Sequence, residues 1–334
     1  MSENNNVIKD KSELLFLYES SYSMPNGDPF TGEQRYDEET KKILVSDVRI
    51  KRFIRDFLEG QGQNIYVSDK TGAGKTSAAG VIKYLFEKSF KCEITDVEQL
   101  LKKCIDVRLF GGIATLKDAE SKVKIEKKEY KLENAHTQFT GPVQFSLLNP
   151  SLNKVNMRIH QNTTHFTSSE DKKQGSIGTT TLVPYSLIQI HGWINPLSAI
   201  ETEMTTDDEA TMIKALWHSV NGINTRTKHS DSVFVVQVIY ANNYDKIYGI
   251  DRLIEIKAKD EQKTEEAFRS RDDFNIDFSK FSEKVKSEKV KEIRYYTEIN
   301  ELDKQFRKEL DLDDDSYEIT VDEHKISVSK FNVK

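Results

Sequence analysis

The spacing of apolar and polar positions changes several times along the chain, and each change predicts an element. Leu14, Leu15, Phe16, Leu17 and Tyr18 form a continuous apolar run, too short for a helix, inside the stretch 13–20. Such a run predicts a central strand buried on both faces. Turn chemistry follows at Met24, Pro25, Asn26, Gly27, Asp28 and Pro29, and a charged loop spans 32–42. From Ile50 the apolar residues recur at Phe53, Ile54, Phe57 and Leu58, the stripe of a core-facing helix. Ser46 or Asp47 is placed to cap its first turn and Gly60 to end it. A strand, a long loop and a helix begin an α/β or α+β pattern.

Further along, 63–68 reads as a second strand and 81–90 as helical. A helix is expected over 97–106, with Leu100, Leu101 and Cys104 on one side. The charged stretch 117–131 predicts a solvated hairpin or insertion, and 140–146 returns to strand-like sequence. Residues 160–178 are polar and punctuated by glycine between strand-like flanks, the profile of a functional or a disordered loop. A long strand is expected over 181–193, its first part at a sheet edge because of Pro184. Thr205 to Glu209 start a helix whose core face carries Met212, Ile213, Leu216 and Trp217, and 225–229 bridges it to a final strand, 233–240. Beyond Asp251 the chain is expected to be charged, helical from Phe281 through Leu310, and strand-like over 317–333.

Charge sharpens this picture at the first helix. Its polar face carries Arg49, Lys51, Arg52 and Arg55. Cations in the first turns oppose the positive end of the helix dipole, and a bound phosphate would offset that conflict. A solvated, salt-bridged face is the competing explanation, because Asp47–Lys51, Arg52–Asp56 and Arg55–Glu59 are all i, i+4 pairs. Arg49 alone lacks a partner on the helix. Elsewhere, Gly72, Gly74, Lys75 and Thr76 imitate a phosphate loop, but the position of its first glycine holds Asp69. The strand 233–240 runs into Ala241, Asn242 and Asn243 rather than an acid for magnesium, which disfavours a nucleotide hydrolase. His160 and His165 invite an RNA-cleaving reading, yet no carboxylate cluster completes a metal site beside them.

Composition bounds the rest. The chain has 334 residues, 37% hydrophobic and 31% charged, and no apolar run of the roughly 18 residues that a membrane span requires. The first residues show no basic-then-apolar signal, so export is not expected. Cys92 and Cys104, twelve apart, form neither a zinc motif nor a disulfide framework, and a reducing cytoplasmic location is expected. The net charge of -6 disfavours a globally basic nucleic-acid binder, although acid is concentrated near the C-terminus at Asp311, Asp313, Asp314 and Asp315.

Four stretches, in order and with consistent spacing, carry a family resemblance: 26–29 (Asn-Gly-Asp-Pro), 45–56 around the basic helix, 106–111 (Asp-Val-Arg-Leu-Phe-Gly) and 141–145 (Gly-Pro-Val-Gln-Phe). Together they resemble the CRISPR-associated RAMP superfamily, specifically its seventh Cas family, the backbone subunit of type I Cascade complexes, and most closely the I-B branch. The resemblance reaches to about Tyr240; the 69–76 loop, the 117–131 segment and the acidic tail show no match.

The resemblance implies an α+β fold, with an RNA-recognition-like (ferredoxin-like βαββαβ) palm over 12–257. Finger-like and thumb-like insertions are expected at about 69–140 and 156–181, and a charged segment, 258–334, packed on the palm. It implies a noncatalytic scaffold whose copies polymerise along a crRNA guide and present it for pairing with target DNA, beside other Cascade subunits. No membrane, metal or cofactor is expected. The implied RNA contacts are Asn26, Arg35, Ser46, Arg49, Lys51, Arg52 and Arg55 around the helix, Phe166, Lys172 and Lys173 in the polar loop, and Arg226 and Lys228 in the bridge. An RNA-processing endonuclease of the same superfamily is the alternative.

Overall fold

In the computed structural model the described residues are 6–68, 77–125, 127–163, 177–313 and 316–333. The apolar run forms strand β1 (Ser12–Ser23), which lies in the middle of the largest sheet. Its alternation explains why the run is unbroken. Leu14, Phe16 and Tyr18 enter one hydrophobic cluster, whereas Leu15 and Leu17 enter another on the opposite face. A strand covered on both sides needs no polar face.

The other elements that position the site are, in order, β2 (Lys42–Ser46), α1 (Asp47–Gly60), α2 (Ile105–Phe110), β3 (Val143–Phe145), β4 (Arg158–Thr163), β5 (Ile177–Ile194), α3 (Thr206–Gly222) and β6 (Ser230–Tyr240). They are followed by β7 (Val290–Tyr296), β8 (Glu318–Val321) and β9 (His324–Lys330). The sheet order is β4-β5-β1-β6-β7-β9-β8, with β3 also paired to β5. Every pairing in it is antiparallel except β7 with β9.

Helices α1 and α3 cover one face, burying Ile50, Phe53, Ile54 and Leu58 beside Ile213, Leu216 and Trp217. A capping box between Thr205 and Asp208 starts α3. The other face is closed by Phe268, Phe274, Phe278, Phe281 and Phe306 from the later part of the chain. The insertion between α1 and β3 has a core of its own, including Leu85, Phe86, Leu100, Leu101 and Phe139. Within it, 117–131 contains the expected hairpin, Lys122–Ile125 paired with Lys128–Lys131.

Several expectations fail for physical reasons. Residues 63–68 form no strand: the amides of Tyr66 and Val67 donate to the buried carboxylate of Asp106 at 2.8 and 3.0 Å, so a side chain takes donors that a ladder would use. The helix expected over 97–106 is two, Val97–Lys102 and α2, interrupted at Cys104, whose extended backbone holds the N-cap position of the second without a side-chain cap. No helix runs from Phe281 through Leu310. Strand β7 divides Ser279–Val285 from Asn300–Glu309, because Ile293 and Tyr295 alternate with Glu292 and Arg294 and fill the second core. Strand β6 is therefore not the last: residues from 290 onward extend the same sheet rather than only packing against it. The flanks of the polar loop are ordered further than expected, pairing His160 with Thr180 and Thr163 with Ile177. Pro184 lies beyond the β4 pairing and before the β3 pairing, where that side of β5 is free of a ladder partner.

Candidate nucleic-acid interface

The N-terminus of α1 is assembled by short polar side chains. The Ser46 hydroxyl caps the helix, accepting from the Arg49 amide at 3.4 Å. Asn26 fixes that hydroxyl: its Oδ1 accepts from Ser46 N at 2.7 Å and from Ser46 Oγ at 2.9 Å. The backbone of Asn26 is held in turn, its N–H donating to Gln34 Oε1 at 2.9 Å and its carbonyl accepting from Arg35 N at 3.0 Å. Arg35 closes the turn by pairing with Asp28 at 2.9 Å.

Arg49 projects from the first turn of α1 above this cap. Its guanidinium lies 4.0 Å from the centroid of the Phe53 ring, a cation–π contact one helical turn along. Nε and Nη2 are buried and have no hydrogen-bond partner, and the Tyr18 hydroxyl is equally unpartnered. Burial lowers the pKa of Arg49, Arg52 adds to that, and Tyr18 and Asp56 oppose it. Lys228 is also pushed down, first by burial and then by Arg49, with Asp56 opposing. Both cations line an open depression of about 300 Å³ beside Met24, Pro25, Asn26, Gly27 and Thr227. The Met24 amide donates to Thr227 O at 2.7 Å, which ties the 225–229 loop to the turn. Two half-buried cations and a helix N-terminus thus converge where Asp28 is already taken by Arg35 and Asp56 by Arg52. Positive charge and helix-end amides in one depression are the chemistry that suits an anion.

The remaining cations of α1 are engaged elsewhere. Lys51 reaches Asp47 at 3.3 Å and Gln144 at 3.4 Å, and Arg52 reaches Asp56 at 2.8 Å. Arg55 does not pair with Glu59 but with Asp106 at 2.9 Å, and its guanidinium stands 5.1 Å from the Phe110 ring centroid. Asp106 is fully buried, so this pair joins α1 to the insertion. No group of three His, Cys, Asp or Glu among the described residues could hold a metal ion.

The sequence profile of CRISPR-associated protein Cas7 matches residues 10–279. The chain belongs to the Cas7 family. A curated relative, CRISPR-associated protein Cas7 of Haloferax volcanii, is 25% identical over 284 residues, covering 82% of each chain. A chain of a solved CRISPR RNA-guided surveillance complex in a pre-nicking state shares the fold, with a TM-score of 0.50 at 10% identity, over 87% of this chain and 93% of that one. A second such complex gives a TM-score of 0.49 at 12% identity, over 87% and 90%.

Of the residues named from sequence, this Cas7-family fold brings Asn26, Ser46, Arg49 and Lys228 together, with Arg35 bracing the turn. Arg226 is exposed and lines a separate, smaller depression with Tyr22, His160 and Thr180. Phe166, Lys172 and Lys173, like His165 and the 69–76 loop, lie outside the described residues. Sequence reasoning overlooked Tyr18 and Phe53 as neighbours of Arg49, because both read only as core positions. It also assigned Asp106 no role beyond the family motif. Gly111 of that motif and Gly141 of the 141–145 stretch have a plain cause: a Cβ on Gly141 would sit 2.0 Å from the Phe110 carbonyl carbon, and Gly111, at φ +76°, touches the same crossing.

Proposed function

We propose that this Cas7-family chain is a guide-RNA-binding backbone subunit of a type I Cascade surveillance complex, of the I-B kind, repeating along crRNA and presenting it to target DNA. The observation that carries this reading is the depression at the N-terminus of α1, which two half-buried cations, Arg49 and Lys228, line together. A scaffold that must accept many guide sequences binds through phosphates and leaves reading to base pairing. The strand order β3-β5-β1-β6, with α1 after β1 and α3 between β5 and β6, supports an RNA-recognition-like βαββαβ palm over 12–257. On it, 69–140 forms the fingers and 156–181 the thumb. Arg49 and Lys228 hold a phosphate, Asn26 and Ser46 set the helix end, and Arg226 with Phe166, Lys172 and Lys173 extends the track. Lys51, Arg52 and Arg55 border it while bracing the fold.

The subunit is noncatalytic and works in the cytoplasm with other copies of itself and further Cascade subunits. Among the described residues no helix is long and apolar enough to cross a membrane. Purification from cells that express a guide array tests the reading. RNA of one defined length should accompany the protein intact; specific cleavage of added guide precursor by the purified chain would overturn the scaffold in favour of an RNA-processing endonuclease.

A further inference from the structure

Strand β1 ends near a residue that packing does not explain. Tyr22 is 61% exposed, and its backbone stands at φ +44°, a region in which bulky side chains are rare. That conformation is held on both sides. The Ser20 and Ser23 hydroxyls meet across it, and Ser20 Oγ donates to the His229 carbonyl at 2.9 Å. On the far side the Met24 amide donates to Thr227 O at 2.7 Å. The ladder to β5 pairs Ser21 with Tyr185 and Ser23 with Val183, passing over Tyr22. A constrained backbone that sets an aromatic ring in solvent buries little in return, so stability does not account for it.

The surroundings of the ring are those of a nucleic-acid track. Tyr22 lines a depression of about 60 Å³ with His160, Thr180, Leu182 and Arg226. Among the described residues no carboxylate lines it. That volume is too small to enclose a base, so a planar group would lie on the ring rather than sink beside it. Met24 and Thr227 line both this depression and the one that holds Arg49 and Lys228, so the two adjoin. Arg226 and Lys228 belong to one tight turn, in which Thr225 and Lys228 exchange backbone hydrogen bonds at 2.9 and 3.1 Å. The turn thus presents an exposed guanidinium to the ring's depression and an ammonium to its neighbour.

We propose that Tyr22 is a stacking platform for one base of single-stranded RNA, with the adjoining phosphates at Arg226 and at the Arg49–Lys228 depression. Every base has a π-face, so an aromatic ring adds affinity without reading sequence. This inference rests on the scaffold reading and adds to it a contact with the bases themselves.

Fluorescence anisotropy of the full chain separates the ring from the charges, using three RNAs of equal length: oligouridylate, a mixed sequence and an abasic ribose-phosphate oligomer. Tyr22→Gly removes the ring at a position whose positive φ glycine adopts freely. It should bind both base-bearing RNAs at least about fivefold more weakly than the parent, the low end for a base–aromatic stack. It should bind the abasic oligomer as the parent does and keep the parental salt slope, because no phosphate contact is lost. Tyr22→Phe keeps the ring and should bind all three as the parent does. Parental affinity of Tyr22→Gly for the base-bearing RNAs, or an equal loss on the abasic oligomer, would overturn the proposal and leave the scaffold reading standing. A parent that binds none of the three RNAs would overturn both.

Discussion

Replacing Arg49 by Met separates what the residue does for the fold from what it does for RNA. Met retains an apolar stem against Phe53 and removes a buried guanidinium whose Nε and Nη2 have no partner and whose neighbour is Lys228. An uncompensated buried charge is a cost to the free subunit, so the variant should be as stable as the parent or gain about 0.5–2 kcal/mol. RNA binding should move the other way. One charge-assisted phosphate contact contributes roughly 1.5–3 kcal/mol, so affinity per subunit should fall about tenfold to hundredfold. For single-stranded RNA each lost contact also flattens the slope of log K against log salt by about 0.7. The assay pairs a thermal melt of RNA-free protein with fluorescence anisotropy over a salt series. A variant that melts earlier yet keeps the parental slope would refute the reasoning, because Arg49 would then be an ordinary structural residue.

Arg55→Met should behave in the opposite sense: stranding Asp106 costs about 3 kcal/mol, softened by the two amides that still donate to it, while the salt slope of the folded protein stays parental. For Asp208, burial raises the pKa, but hydrogen bonds and charge from Arg108, with Thr205, leave it lowered. A lowered carboxylate stabilises above its unfolded pKa and loses that contribution as pH falls through the folded value, so melts should show an acid limb below about pH 4 that flattens in Asp208→Asn. Gly141→Ala forces a methyl into the Phe110 backbone and should cost on the order of 3 kcal/mol in a denaturant titration. Lys75→Ala should leave RNA binding unchanged, and neither protein should hydrolyse ATP in a phosphate-release assay.

What the chain reveals before folding depends on whether a contact is local. The β1 run is legible because burial on both faces removes polar residues from the strand itself. Helix α1 is legible because stripe, cap and two of its three i, i+4 pairs lie within its own length. The third pair fails because Asp106, 51 positions away, competes for Arg55 and wins in a dry setting. Arg49 stood out as the cation with no partner on the helix, but periodicity could not show that Tyr18 and Lys228 surround it; only the family resemblance placed the 225–229 loop there. Strand β7 was missed because its charges resemble those of a solvated helix, although Ile293 and Tyr295 face the core.

The central claim is that copies of this subunit line up along one guide. Native mass spectrometry of the full chain with single-stranded RNAs of increasing length counts them directly. The account predicts copy number rising in proportion to RNA length, with RNA intact and its sequence immaterial. One copy per RNA at every length, or shortened RNA in the complexes, would contradict it.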